Sequence, residues 1–407
     1  MAQPIAQPAS PVLTEAYLDD PNAVIRSLRE EDPVHFIPGP GFWLATRHED
    51  VRELFTHPDF TNDPRTWDRY VPPPAGTFRA WIAENGLFAA PPEAHARMRR
   101  LVSAALTPRA VKRMERQVAE VVEQFAQPLR GRTGVVDLIA EFTDPIPNAV
   151  ISRITGVPPK GEDDLRFRQL AQDSIRGFFA FADKAIKEAG DKAAEELAEY
   201  CRVLAETRRR EPQEDLVSDM VRARDDDDAL SDNEIVSMIT ALISAGSETT
   251  ALGGTFALRA LLRHPHELQK LRADPSLVEN AANEVLRYDF GIGGGLPRYA
   301  IRDTELRGKK IRKGQMVQLS FNGAHRDPRV FEDPERFDVS RDCKDLVIFG
   351  RGAHYCLGAN LARQEMRFMI DAALGFLPPD AHIREDEIAW NQIAFFKRME
   401  SLPVDFG

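Results

Sequence analysis

Cys356 stands in the stretch Phe349-Gly-Arg-Gly-Ala-His-Tyr-Cys-Leu-Gly358. Its glycines let a backbone turn tightly and approach a partner closely. Helical periodicity begins just after the cysteine, so the sulfur is expected at a helix N-terminus. Partial positive charge and unused N–H groups there favour thiolate over thiol. A stabilised thiolate on a glycine-rich loop is a nucleophile or a metal ligand, whereas a lone cysteine is more often a core residue. Cys201 and Cys343 have no motif around them. Three scattered cysteines without a Cys-x-x-Cys pair argue against a disulfide framework and a structural zinc site.

Four further groups could do chemistry. Ala245-Gly246-Ser247-Glu248-Thr249-Thr250 lies within a long apolar helical pattern. A glycine inside a helix costs roughly 1 kcal/mol relative to alanine, so Gly246 calls for a packing or functional reason. Thr249 can bond back to the preceding turn and bend the helix. Glu284 and Arg287 share one helix face, which by itself predicts only a weak surface ion pair. His95 and Arg99 stand one turn apart, and Arg298 sits in a strand-like run, Leu296-Pro-Arg-Tyr-Ala300.

Taken together, these stretches resemble the cytochrome P450 family. The cysteine stretch matches F-G-x-G-x-H-x-C-x-G, which implies that Cys356 is the axial ligand of haem b. An axial thiolate pushes electron density onto iron and favours O–O cleavage. Phe349 would shield the sulfur, Gly350, Gly352 and Gly358 would shape the loop, and His354 would contact a propionate. The long-helix segment matches A-G-x-[DE]-T. Ala245 and Gly246 would leave room for O₂, and Glu248 and Thr249 would be an acid–alcohol pair relaying protons. Glu284-x-x-Arg287, with Arg336 of Phe331-Glu-Asp-Pro-Glu-Arg-Phe337, would form a buried three-residue ion network holding the cysteine loop. His95, Arg99 and Arg298 fall where family members bind the propionates. The likeness spans about residues 15–407 with the motifs in the family's order. It departs at His325, where relatives often carry Asn, and in the glycine-rich run 291–295. That run is no dinucleotide site, because no strand–turn–helix with a downstream acid follows.

The resemblance implies a monooxygenase inserting one atom of O₂ into an apolar small molecule by hydroxylation or epoxidation. Electrons would come from NAD(P)H through a separate reductase and a ferredoxin or flavodoxin, since no flavin or iron–sulfur domain is recognisable. Residues 95–116 hold seven Arg or Lys against one Glu, a docking patch that includes Arg100, Arg109, Lys112 and Arg113. The family's substrate-contact regions offer Phe88, Phe178, Phe179, Phe181, Leu242, Ile292, Leu296, Phe395 and Phe396, with a floor of small residues at 293–295. These predict a roomy pocket for a polyketide or macrolide, a steroid or terpenoid, or a fatty acid. The run 86–100 looks most like bacterial members that tailor macrolide-type natural products. The alternatives are a peroxide-driven haem enzyme, for which the relay would be unnecessary, and a non-catalytic haem-binding protein.

The elements that must position these residues follow from pattern. Val34–Ile37 and 42–46 alternate around a Pro-Gly-Pro-Gly turn, and 49–55 reads as a short helix. Residues 61–92 are loop-like, long enough to be functional or to hide short helices. Helical periodicity dominates 95–210. A capping box at Ser231 and Glu234 opens an apolar run to 262, ended by His264-Pro265. Apolar on most faces, that helix is expected to be buried. Residues 289–320 turn strand-like, and a helix starts near Cys356. The fold class is therefore mainly α with a minor β portion, expected as one domain over 15–407 behind a flexible leader at 1–14. Composition agrees: of 407 residues 43% are hydrophobic and 29% charged, an ordinary globular mix. A net charge of −11 argues against nucleic-acid binding. The N-terminus lacks the apolar run of a signal peptide, so a cytoplasmic, membrane-free, monomeric protein is expected.

Overall fold

The turn at 38–41 reverses the chain through Gly39 and Gly41, whose φ values of 83° and 75° suit glycine. It joins Val34–Ile37 to Phe42–Ala45. In the computed structural model, which describes residues 10–14, 17, 20–103, 106–157, 162–179, 184–225, 228–291, 295–393 and 396–407, this hairpin opens a five-stranded sheet. The order continues through Met316–Leu319 and Pro297–Ala300 to Phe60–Thr61. Met316–Leu319 runs parallel to Phe42–Ala45, and the other pairings are antiparallel. Alternate residues of the sheet, among them Val34, Ala45, Val317 and Leu319, bury themselves with Val51, Leu54, Phe55, Phe321 and Val347. The short helix runs over His48–Leu54.

The chain divides into two units, each discontinuous in sequence. Residues 1–72, 287–336 and 343–356 form the sheet-bearing unit; 73–286, 337–342 and 357–407 form the helical one. No linker separates them, in keeping with the absence of one from the sequence.

The helical unit is built on Asp232–Arg263, with Ser231 and Glu234 making the expected capping box. At 1.5 Å per residue its 32 residues span about 48 Å. It is apolar and long enough to cross a membrane by length and composition, yet most of it is buried inside the protein, as befits a core helix. Pro145–Thr155, Glu162–Phe179, Lys184–Arg210 and Ala359–Phe376 pack on it. Glu162–Phe179 and Lys184–Arg210 also pack on each other at a glycine pair: a Cβ on Gly177 would lie 2.6 Å from Gly190 Cα. Only two glycines allow backbones that close.

The stretch 61–92, read as loop-like, hides the short helices Pro64–Thr66, Phe78–Asn85 and Leu87–Ala89. Phe78–Asn85 is tied to the helix pair through Arg79, which pairs with Asp191 and donates to the Gly177 carbonyl at 2.9 Å. That carbonyl lies in the last turn of its helix, where intrahelical donors run out.

Candidate active site

The cysteine loop belongs to the sheet-bearing unit. Gly350 and Gly352 take φ values of 72° and 66°, which only glycine adopts without strain. A Cβ on Gly352 would also meet Thr56 Cγ2 at 2.7 Å. Between them the chain doubles back, so that the Cys356 N–H donates to the Phe349 carbonyl at 2.8 Å. The Phe349 and Tyr355 rings stand 6.4 Å apart. Cys356 is exposed, while Cys201 and Cys343 are buried. The helix after the loop is Ala359–Phe376 with Gly358 as its N-cap, so Cys356 precedes its first turn. His354 closes a short 3-10 turn, Gly352–His354, on the same loop.

Arg298, in the same unit, lies in the strand Pro297–Ala300 and is buried, its guanidinium 4.8 Å over the Phe55 ring. Its Nη1 donates to the Pro297 carbonyl at 2.8 Å. Burial pushes its pKa down to about 10. A buried guanidinium is strongly disfavoured unless an anion meets it. Among the described residues no carboxylate forms an ion pair with Arg298, so its environment suits an incoming carboxylate.

In the helical unit, His95 is buried on Pro92–Ser103, with Arg99 one turn on. Burial, and then the positive charge of Arg99, lower the His95 pKa. The structure thus brings this pair together as a neutral donor beside a cation. On the long helix, Leu242, Gly246 and Thr249 are partly accessible and Ala245 is exposed, whereas Ile243, Ser244, Ser247, Glu248 and Thr250 are buried. Positions 242, 245, 246 and 249 share one helix face. Gly246 has no packing reason to be glycine, since a Cβ there would meet only Ile151 Cδ1, at 3.9 Å. The Thr249 hydroxyl donates to the Ala245 carbonyl at 2.7 Å.

Glu248 has different surroundings from Thr249. It is buried and ion-paired with Arg398, which also holds Asp144 at 2.8 Å. Burial raises the Asp144 pKa, against the pull of Arg398 and Arg176. The expected acid–alcohol pair is adjacent in sequence, but here the acid is held by an arginine and only the alcohol reaches the accessible face. Sequence reasoning missed Arg398 and Asp144. They stand 254 residues apart, and no local pattern announces them.

The expected ion network is corrected at Arg336. It is exposed rather than buried, and its carbonyl accepts from Arg287. Buried Arg287 donates to the carbonyls of His325, Pro334 and Arg336 at 3.0, 2.8 and 3.1 Å. Buried Glu284, in the other unit, accepts from the Asp338 N–H at 2.9 Å and pairs with Arg341 at 3.2 Å. Arg341 was not recognised in the sequence.

Among the expected pocket residues, Leu242 lies on the accessible helix face. Phe88 and Leu296 are exposed, at 68% and 46%. At Gly295, in the expected small floor, a Cβ would collide with the Leu319 carbonyl at 1.7 Å. That glycine serves a close backbone approach. Ile292, Phe181, Phe395, Gly293 and Gly294 lie outside the described residues, as do the side chains of Phe178, Phe179 and Phe396. Arg100, Arg109, Lys112 and Arg113 are exposed.

These residues fit a haem. An exposed cysteine sits on a glycine-shaped loop, a buried arginine suits a carboxylate, and a helix face carries small residues without packing cause. Comparison with known proteins agrees. The family model described as Cytochrome P450 matches residues 42–375. The chain is 33% identical over 398 residues to the epothilone C/D epoxidase of Sorangium cellulosum, covering 95% of this chain and 93% of that protein. It is 33% identical over 382 residues to the mycinamicin IV hydroxylase/epoxidase of Micromonospora griseorubida, covering 93% of each. Among solved structures, the bacillaene polyketide synthase cytochrome P450 PksS of Bacillus subtilis 168 superposes with a TM-score of 0.86 at 29% identity, covering 97% of this chain and 98% of that one.

Proposed function

Because the chain belongs to the cytochrome P450 family and is a monooxygenase, we propose that it hydroxylates or epoxidises a large or long apolar molecule of the polyketide or macrolide class. The observation that carries this reading is the accessible face of the long helix, Leu242, Ala245, Gly246 and Thr249, on a helix that is mostly buried. The relatives named for epothilone and mycinamicin support the substrate class.

The family uses haem and O₂; bound here as haem b, the group would supply the iron at which O₂ is activated. Cys356 would ligate it, with its backbone fixed by the bond to Phe349. Arg298, His95, Arg99 and His354 would hold the propionates, and the fixed charge of Arg298 would be neutralised by one of them. Ala245 and Gly246 keep side chains out of the space beside Thr249. The Thr249 Oγ, already donating to the Ala245 carbonyl, holds its proton at a defined place. Glu248, ion-paired with Arg398, can pass on a proton only after it leaves that pair and takes one up. Arg398 keeps Asp144 as a partner, so its charge is not stranded when Glu248 turns away.

Electrons would arrive from NAD(P)H through a ferredoxin or flavodoxin docking near Arg100, Arg109, Lys112 and Arg113, with the enzyme a cytoplasmic monomer. Spectral titration tests the substrate class. Macrolides and long polyketides are expected to shift the spin-state spectrum of the haem-loaded enzyme, with product analysis showing one added oxygen. A response to small phenols alone would overturn the reading.

A further inference from the structure

Residues 345–347 lead into the cysteine loop, and two histidines serve them where a strand neighbour would. The Asp345 carbonyl accepts from His48 Nε2 at 2.7 Å. Two residues on, the Val347 N–H donates to His325 Nε2 at 3.0 Å. The roles are complementary. His48 Nε2 must carry a hydrogen, because a carbonyl only accepts. His325 Nε2 must carry a lone pair, because an amide N–H only donates, so its ring proton sits on Nδ1.

Both rings are fixed by their surroundings. Phe331 meets the His48 ring at 6.0 Å and the His325 ring edge-on at 6.2 Å, and Phe321 stacks on His325 at 6.3 Å. The His48 backbone N–H donates to Asp327 Oδ2 at 3.0 Å, and the His325 carbonyl accepts from Arg287 at 3.0 Å. Both histidines are buried. Burial, followed by the nearby His48, Arg287 and Arg326, pushes the His325 pKa down to about 3, so it stays a neutral acceptor at working pH.

From this anchor the bonds run on to the cysteine. The Val347 carbonyl accepts from the Gly350 N–H at 2.9 Å, and the Phe349 carbonyl accepts from the Cys356 N–H at 2.8 Å. One backbone–imidazole bond and two backbone–backbone bonds therefore lead from an imidazole lone pair to the amide of the thiolate residue.

We propose that His48 and His325 form a two-imidazole clasp on residues 345–347 and are positioning residues for Cys356. This rests on Cys356 being the iron ligand.

Four variants of the holoenzyme test the proposal: His48→Leu, His325→Leu, His48→Gln and His325→Gln. A glutamine places an amide near the Nε2 position and can donate for His48 or accept for His325; leucine can do neither. Hydrogen exchange of peptides spanning 345–356 is expected to rise roughly tenfold in each leucine variant, the equivalent of one lost buried hydrogen bond. In the reduced carbon monoxide complex, the thiolate-type Soret band is expected to give way partly to the form lacking thiolate. Each glutamine variant should restore both readouts. Leucine variants with wild-type exchange and an intact thiolate band would overturn the clasp. So would glutamine variants that behave like the leucine ones, and this second comparison holds even if a leucine variant does not fold. If the wild-type protein shows no thiolate band, the ligand assignment fails, while the exchange readout still judges the clasp.

Discussion

Glu365 is a buried carboxyl on Ala359–Phe376. Its Oε2 has no hydrogen-bond partner among the described residues, and burial raises its pKa well above the usual 4.5. The folded state therefore binds this proton more tightly than the unfolded chain does. Its contribution to stability is complete below pH 4.5 and is lost as pH rises toward the folded pKa. Glu365→Gln should match wild type in denaturant unfolding at pH 4 and exceed it at neutral pH. The gap should widen by about 1.4 kcal/mol per pH unit in between. Thr249→Ala removes a hydroxyl from the accessible helix face and should lower product formed per NAD(P)H by at least about tenfold, the low end of a positioned proton transfer. Peroxide yield measured alongside should rise in step, and unchanged coupling would remove Thr249 from the relay. The residues legible in the sequence were those whose meaning is local, such as Cys356 in its glycine loop or Thr249 one turn after Ala245. Arg398, Asp144 and Arg341 act across long stretches of chain and carry no neighbourhood pattern. Arg336 matched a motif by spacing, yet spacing could not reveal that it is exposed and that its carbonyl accepts from Arg287.

Two glycines in helices make opposite predictions. Gly246 meets almost nothing, so Gly246→Ala should raise thermal stability by roughly 0.5–1 kcal/mol through the unfolded state. It should also weaken ligand-induced spin shifts, because the added methyl stands on the accessible face. Gly190 meets a neighbouring backbone: a Cβ there would lie 2.4 Å from Gly177 Cα and 2.8 Å from the Asp173 carbonyl. Backbone cannot swing aside, so Gly190→Ala should cost about 1–3 kcal/mol in denaturant unfolding, the scale of overpacking. Equal effects at both sites would show that helix propensity, rather than packing, governs them. The long helix was legible end to end, since its cap, apolar run and terminating His264-Pro265 are all local signals. The helix Phe78–Asn85 was not, because it is short, buries none of its residues and depends on Arg79 reaching another helix. The glycine-rich run 291–295 suggested roominess, whereas Gly295 answers to a strand carbonyl that only the fold brings near.

At the scale of the whole chain, charge is uneven. The net value is −11, yet residues 95–116 carry seven cations against one acid, and Arg100, Arg109, Lys112, Arg113 and Arg116 are exposed. Reversing Arg100, Arg109, Lys112 and Arg113 should slow the first electron transfer from an acidic ferredoxin or flavodoxin and flatten its ionic-strength dependence. Stopped-flow reduction across a salt series reads both, and identical slopes would exclude this face. Fold class was legible because helical periodicity outweighs strand alternation along most of the chain; the division into interleaved units was not, because contacts between distant segments set it. That interleaving has a consequence for biosynthesis. The sheet-bearing unit begins at the N-terminus but needs residues up to 356, some 280 residues after its first segment ends at 72. At roughly 5–20 residues per second, its opening hairpin waits on the order of a quarter of a minute to a minute for the strands and loop that complete it. Cys356 is the last residue of that unit to leave the ribosome. Cofactor capture is therefore a late event, and the partly made chain must keep an unfinished sheet edge from pairing with a neighbour's in the meantime.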